Sequence, residues 1–188
     1  AVEHLISLGH TRIVHFSGPA YSMHGKERID GLYRAFSASH IAFPDEAIVP
    51  TGAHMEDGYR LGLEYFGSRT GEERPTAVTC FNDMVAIGLC RALAELGLSV
   101  PEDVSVVGYD NLPMLDYLSV PLTSVAVPKF EIGEQAARML LDQVESREPR
   151  APQRVHFDAE LVIRGSTRPL TERSSGDVEL HAPASASH

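Results

Sequence analysis

Arg28, Asn82 and Asp110 carry the side chains in this sequence best suited to gripping a polar small molecule. Asn82 directly follows the apolar run Thr76–Phe81, and Asp110 directly follows Val104–Tyr109. Arg28 follows the run Thr11–Ser17 by a loop and opens a helical stretch. Arginine offers a planar fork of donors, a carboxylate accepts, and an asparagine amide does both. That set suits a ligand dense in hydroxyls or amides, such as a sugar or a purine. It lacks a nucleophile with an adjacent base, so it points to binding and not to turnover. Each residue also has an ordinary structural reading. Asn82 serves as a helix N-cap, Asp110 as an Asx-turn before Leu112–Pro113, and Arg28 as a solvated charge beside Glu27. What favours binding is that all three stand at one edge if the runs are parallel strands.

Other chemistries fail on spacing. Glu27 follows Gly25–Lys26 where a phosphate-binding loop needs Ser or Thr for magnesium. No G-x-G-x-x-G follows a strand-like run, and no G-x-S-x-G elbow occurs. The 9 histidines form no H-x-x-x-H pair; His15 and His156 fall on expected strands, and His181 and His188 near the C-terminus. No metal or cofactor is expected.

The elements that must position these residues can be read from periodicity. A helix ends at Gly9. Strands follow at 11–17, 47–49, 76–81 and 104–108, with helices over 26–38, 56–66 and 84–96 between them. Alternating strands and helices predict βαβ units, hence an α/β doubly wound, Rossmann-like three-layer αβα fold around a parallel sheet. Beyond Asp110 come Pro113, Pro121 and Pro128, a short strand at 123–127, a helix over 130–144, a Pro-rich turn at 148–152 and a final strand at 154–163. Met84, Ile87, Leu89 and Leu93 in the helix 84–96 read as core, yet a helix this apolar can cover the sheet with one face and a partner subunit with the other, for which Met84, Ile87 and Arg91 are the candidates. Tyr117 and Leu118 could join that patch.

Composition bounds the possibilities. The 188 residues are 43% hydrophobic and 22% charged, with net charge −10, and mean hydropathy is −0.10. No apolar run approaches the ~18 residues of a membrane span, and no signal-peptide pattern is visible at the start. Cys80 and Cys90 sit in apolar context and read as reduced core residues. With 16 Lys and Arg against 26 Asp and Glu, the chain is by itself a poor nucleic-acid surface.

Several segments, in order, resemble one family. They are Leu5-Ile6-Ser7-Leu8-Gly9-His10-Thr11-Arg12-Ile13, Glu27-Arg28-Ile29-Asp30-Gly31, Pro75-Thr76-Ala77 with Asn82-Asp83-Met84-Val85-Ala86-Ile87-Gly88, and Val100-Pro101-Glu102-Asp103-Val104-Ser105-Val106-Val107-Gly108-Tyr109-Asp110. Pro121-Leu122-Thr123-Ser124-Val125 and Glu160-Leu161-Val162-Ile163-Arg164-Gly165-Ser166-Thr167 complete the pattern. Together they resemble the lactose-repressor (LacI-type) family of bacterial transcription regulators.

The resemblance implies a periplasmic-binding-protein-like (type I) sensor whose two lobes close on an effector of the sugar or nucleobase class. It places Arg28, Asn82 and Asp110 at effector-holding positions, with Ser22 a further lining residue. The family often stacks an aromatic on its ligand where this chain has Gly52-Ala53-His54, leaving the stack missing or supplied by His54. It further implies a cytoplasmic homodimer that is no enzyme, needs no membrane and meets operator DNA only through a headpiece not found in these residues. By the same likeness, 1–128 and 156–170 form the lobe farther from DNA, incomplete at its start. Residues 129–155 belong to the nearer lobe, and 171–188 read as a flexible tail. The alternative is a transport-associated periplasmic sugar-binding protein of the same fold.

Overall fold

Ile13 and Val14 are neighbours in the first strand and both are buried, yet they belong to different hydrophobic clusters. Successive strand side chains point to opposite faces, so this sheet is covered on both sides. The computed structural model describes residues 1–146 and 152–170. The expected turn around 148–152 falls largely, and the expected tail at 171–188 wholly, outside the described residues.

The elements run α1 (Val2–Ser7), β1 (Ile13–Phe16), α2 (Met23–Ala38), β2 (Ile48–Val49), α3 (Met55–Gly67), β3 (Ala77–Cys80), α4 (Asp83–Glu95), β4 (Ser105–Tyr109), β5 (Thr123–Ala126), α5 (Lys129–Glu145) and β6 (Glu160–Val162). The strands form one sheet in the order β2-β1-β3-β4-β5-β6. Those from β2 to β5 in that order are parallel. Helices α1 and α2 cover one face, with Leu5, Leu32 and Phe36 packed on Ile13, Ala77 and Val107. Helices α3 and α4 cover the other, with Phe66, Val85, Leu89 and Leu93 packed on Val14, Phe16, Val78 and Val106. The strand order reverses between β1 and β3, where the chain leaves β1 for α2 on one face of the sheet and β3 for α4 on the other, the arrangement that forms a ligand crevice at the strands' carboxyl ends.

The sequence expectation of a parallel sheet needs one correction. The last strand pairs antiparallel with β5, and it spans Glu160–Val162 in place of 154–163. Its partner β5 ends at Ala126, and the chain then turns through Pro128 into α5, so residues 154–159 have no strand beside them among the described residues. Residues 152–159 lie exposed outside any strand, His156 among them. The expected irregular stretch after Asp110 contains a short 3-10 turn, Pro113–Tyr117. Helix α5 buries none of its residues, and Phe130, Leu140, Leu141 and Val144 are exposed.

Backbone contact sets the spacing of α3 and α4. A Cβ added at Gly88 would lie 1.9 Å from the carbonyl oxygen of Met55, and one at Gly58 would lie 2.1 Å from that of Val85. Neither helix can carry a side chain there without moving, and packed interiors resist such movement. Gly88→Ala should therefore destabilise the chain by about 2 kcal/mol or more in urea unfolding, despite the higher helix propensity of alanine.

Candidate functional site

The edge at which β1, β3 and β4 end is built largely from helix N-termini. Ser22 is the N-cap of α2, its Oγ accepting from the Gly25 N–H at 3.1 Å. His54 is the N-cap of α3, and its N–H donates to Asp57 Oδ2 at 3.0 Å. Asn82 is the N-cap of α4: its Oδ1 accepts from the Val85 N–H at 2.9 Å, and its Nδ2 donates to the Ala53 carbonyl at 2.9 Å. Capping and ligand contact are compatible. An asparagine amide has two donors and a two-lone-pair acceptor, so Asn82 keeps one of each.

Arg28 joins the strand ends. Its Nη1 donates to the Phe81 carbonyl, the residue before Asn82. Its guanidinium carbon lies 3.6 Å from the ring centroid of Tyr109, the residue before Asp110, and 4.6 Å from that of Phe81. Stacking over ring faces leaves the in-plane edge of the fork for further acceptors. Phe81 in turn sits against Gly18, where an added Cβ would lie 2.3 Å from the ring and the backbone has φ +75°. Only glycine meets both demands.

Asp110 lies beyond β4 at φ +111°, followed by Asn111 at φ +49°. These are uncommon conformations for residues with side chains. Its N–H donates to the Val125 carbonyl at 2.9 Å, and its own carbonyl accepts from Lys129 Nζ at 2.6 Å. These bonds engage its backbone and leave the carboxylate for other partners.

Contacts thus link four of the five sequence-selected residues, directly or through a chain neighbour: His54 by Ala53, Asn82, Arg28 by Phe81, and Asp110 by Tyr109. Ser22 stands apart as the N-cap of α2. Sequence reasoning missed Phe81 and Tyr109, although both directly precede selected residues. An aromatic that ends a strand reads as core until a cation is seen over its ring.

A cavity of about 430 Å³ lies on the α1/α2 side of the sheet and includes Arg28, Tyr109, Thr79 and His15 in its lining. Ser22, His54, Asn82 and Asp110 lie outside that lining. His15 is buried, its Nδ1 2.9 Å from Thr79 Oγ1 and 3.1 Å from the Thr79 carbonyl. The carbonyl can only accept, so Nδ1 carries the proton and Nε2 presents a lone pair. Nε2 has no partner among the described residues. Burial first, and the Arg28 charge after it, lower the His15 pKa to about 4, against a raising effect from Thr79.

Residues 2–167 match the model of the periplasmic binding protein-like domain. The chain belongs to that family. Its match to the transcriptional repressor PurR of Vibrio vulnificus is 37% identical over 171 residues, covering 90% of this chain and 50% of the relative. The fold superposes on a LacI-family transcriptional regulator from Enterococcus faecium with bound ribose at a TM-score of 0.79 and 34% identity, covering 90% of this chain and 61% of that one. It also superposes on the lac repressor dimer bound to operator at a TM-score of 0.77 and 29% identity, covering 89% of this chain and 56% of that one. The chain spans about half the length of the curated relatives it matches. The domain is thus similar to the matching part of LacI-family regulators, and the relatives named here are transcriptional regulators.

The neutral buried His15 gives the domain a pH dependence with a definite sign. Its folded pKa lies below the unfolded value of 6.5, so the unfolded chain takes the proton first. Full stability holds above the unfolded pKa and is lost as pH falls toward 4. Buried Asp83, whose carboxyl is pushed up by burial, acts in the opposite sense. Subtracting a His15→Leu variant isolates the histidine. Between about pH 7.5 and about pH 5 the wild type should lose about 2 kcal/mol more than the variant in urea unfolding.

Proposed function

We propose that this chain is the effector-sensing part of a LacI-type transcriptional regulator. The observation that carries the reading is Arg28. Its guanidinium spans from the Phe81 carbonyl to the Tyr109 ring and gathers the strand ends beside Asn82 and Asp110. The three side chains offer donors and acceptors at the crevice where strand order reverses, and they include no nucleophile–base pair. Their ligand is a small effector of the sugar or nucleobase class. The ribose-bound relative supports the sugar class.

The effector acts by preferring one arrangement of two lobes over another. That preference alters how a dimer presents its DNA-binding parts to operator half-sites. The subunit contact is assigned to the outer face of α4, where Met84 and Ile87 are half-buried and Arg91 is exposed, together with Tyr117 and Leu118. Tyr117 is 88% exposed, and Met55, Ile87 and Arg91 line one shallow groove. The lac repressor relative, solved as a dimer, supports this assignment. Operator contact is assigned to residues outside these 188, whose net charge is −10 and opposes approach to DNA. A regulator of this kind works in the cytoplasm, and the repressor relatives support that reading over a transport protein.

Two measurements test the assignment. In the full-length chain, calorimetry with D-ribose and with guanine should detect binding of one of them. Asp110→Ala should then weaken it by about 2 kcal/mol or more, because a charge-assisted hydrogen bond is lost. Unchanged affinity removes Asp110 from the site, and no heat with either ligand overturns the effector class. In gel shifts at physiological salt, residues 1–188 alone should leave operator DNA unshifted. A specific shift would move DNA contact into this domain.

A further inference from the structure

Arg164 follows β6, and its side chain is only 12% exposed. Its guanidinium donates in three directions: Nε to Asp116 Oδ1 at 2.5 Å, Nη1 to the Leu122 carbonyl at 2.9 Å and Nη2 to Asn111 Oδ1 at 2.9 Å. Its own N–H donates to Thr123 Oγ1 at 2.9 Å. The three acceptors are spread along the connection between β4 and β5. Asn111 stands directly after Asp110, Asp116 lies in the 3-10 turn, and Leu122 immediately precedes β5. One planar side chain therefore ties both ends and the middle of this connection together.

What it ties is strained at its start. Asp110 and Asn111 both have positive φ, and such pairs persist only where the surroundings hold them. Asn111 is held on its other side as well, where its N–H donates to Ser124 Oγ at 3.1 Å. Ser124 donates to Asp83 Oδ1 at 2.6 Å, and the Leu112 N–H donates to Asp83 Oδ2 at 2.8 Å. The connection is thus gripped from the N-terminus of α4 by Asp83 and from the far edge of the sheet by Arg164. The Asp83 grip reaches only residues 111 and 112. The Arg164 grip extends to the turn that carries Tyr117.

We propose that Arg164 is a positioning residue that couples the effector edge to the subunit-contact turn. By holding Asn111 and Asp116 at once, it makes the backbone conformation of Asp110 depend on where the Pro113–Tyr117 turn sits. A displacement at either end is passed through one guanidinium. The inference rests on the reading of Asp110 and Tyr117 given above. Arginine is required because a lysine ammonium is a point donor and cannot keep three acceptors at fixed mutual angles.

Hydrogen exchange by mass spectrometry on the full-length, effector-free chain tests this with Arg164→Lys and Arg164→Ala. Both variants should exchange about tenfold or more faster at residues 111–118, with β3 and α4 unchanged. Sedimentation of the same variants should show a dimer dissociation constant raised about tenfold. Acceleration spread evenly over the sheet would make Arg164 a general buttress and overturn the proposal, as would no acceleration. Local acceleration with unchanged dimerisation would overturn the coupling. If Arg164→Ala does not fold, Arg164→Lys decides. Failure of the effector reading would look different, with Asp110→Ala leaving D-ribose affinity untouched while the exchange and sedimentation results stand.

Discussion

Asp83 is a carboxylate with no exposed surface, and the site depends on how its burial is satisfied. Removing a charged oxygen pair from water is costly unless donors replace the water. Here the Leu112 N–H and the Ser124 hydroxyl do so, and the residue opens α4, where the helix dipole favours negative charge. Burial still outweighs these donors, and the carboxyl is pushed up from its ordinary value. Three separate pieces of chain, the start of α4, the residues after β4, and β5, are fixed to one another by this single group.

The remaining geometry follows from α4 being held at that end. Close approach of α3 through Gly58 and Gly88 fixes the helix along its length. Asn82 then caps α4 and holds the Ala53 carbonyl, which brings the loop before α3 to the sheet edge. Phe81 is left with a free carbonyl beside Gly18, and Arg28 takes it while lying over Tyr109. Polar groups gather at this edge because five strands run parallel and every helix N-terminus after a strand opens on the same side. The two-sided hydrophobic packing provides rigidity, and the N-caps supply directional chemistry.

Much of this was legible without coordinates. The strands and helices around the site follow from apolar periodicity, and Gly9 and Gly97 mark helix ends at positive φ as their positions suggest. The choice of Arg28, Asn82 and Asp110 came from residue type and position after a strand, and a likeness to one family reached the same residues. The alternation in 154–163 signals a strand without saying whether a partner exists to pair with it, and the structure extends only part of that run. β5 offers four residues, and only Glu160–Val162 meet it.

By itself the sequence determined the local preferences: which runs extend, which coil, where each helix is capped, and a charge balance unsuited to DNA. Those properties depend on neighbours within a few residues or on composition, so a linear reading captures them. Only the tertiary structure decided that Arg28 lies over Tyr109, that His15 is buried with a ring nitrogen that meets no partner among the described residues, and that Arg164 reaches Asn111, Asp116 and Leu122 together. Each joins residues 42 or more positions apart, or depends on how deeply a side chain is buried. Sheet order and helix packing set those relations, and no short-range pattern encodes them.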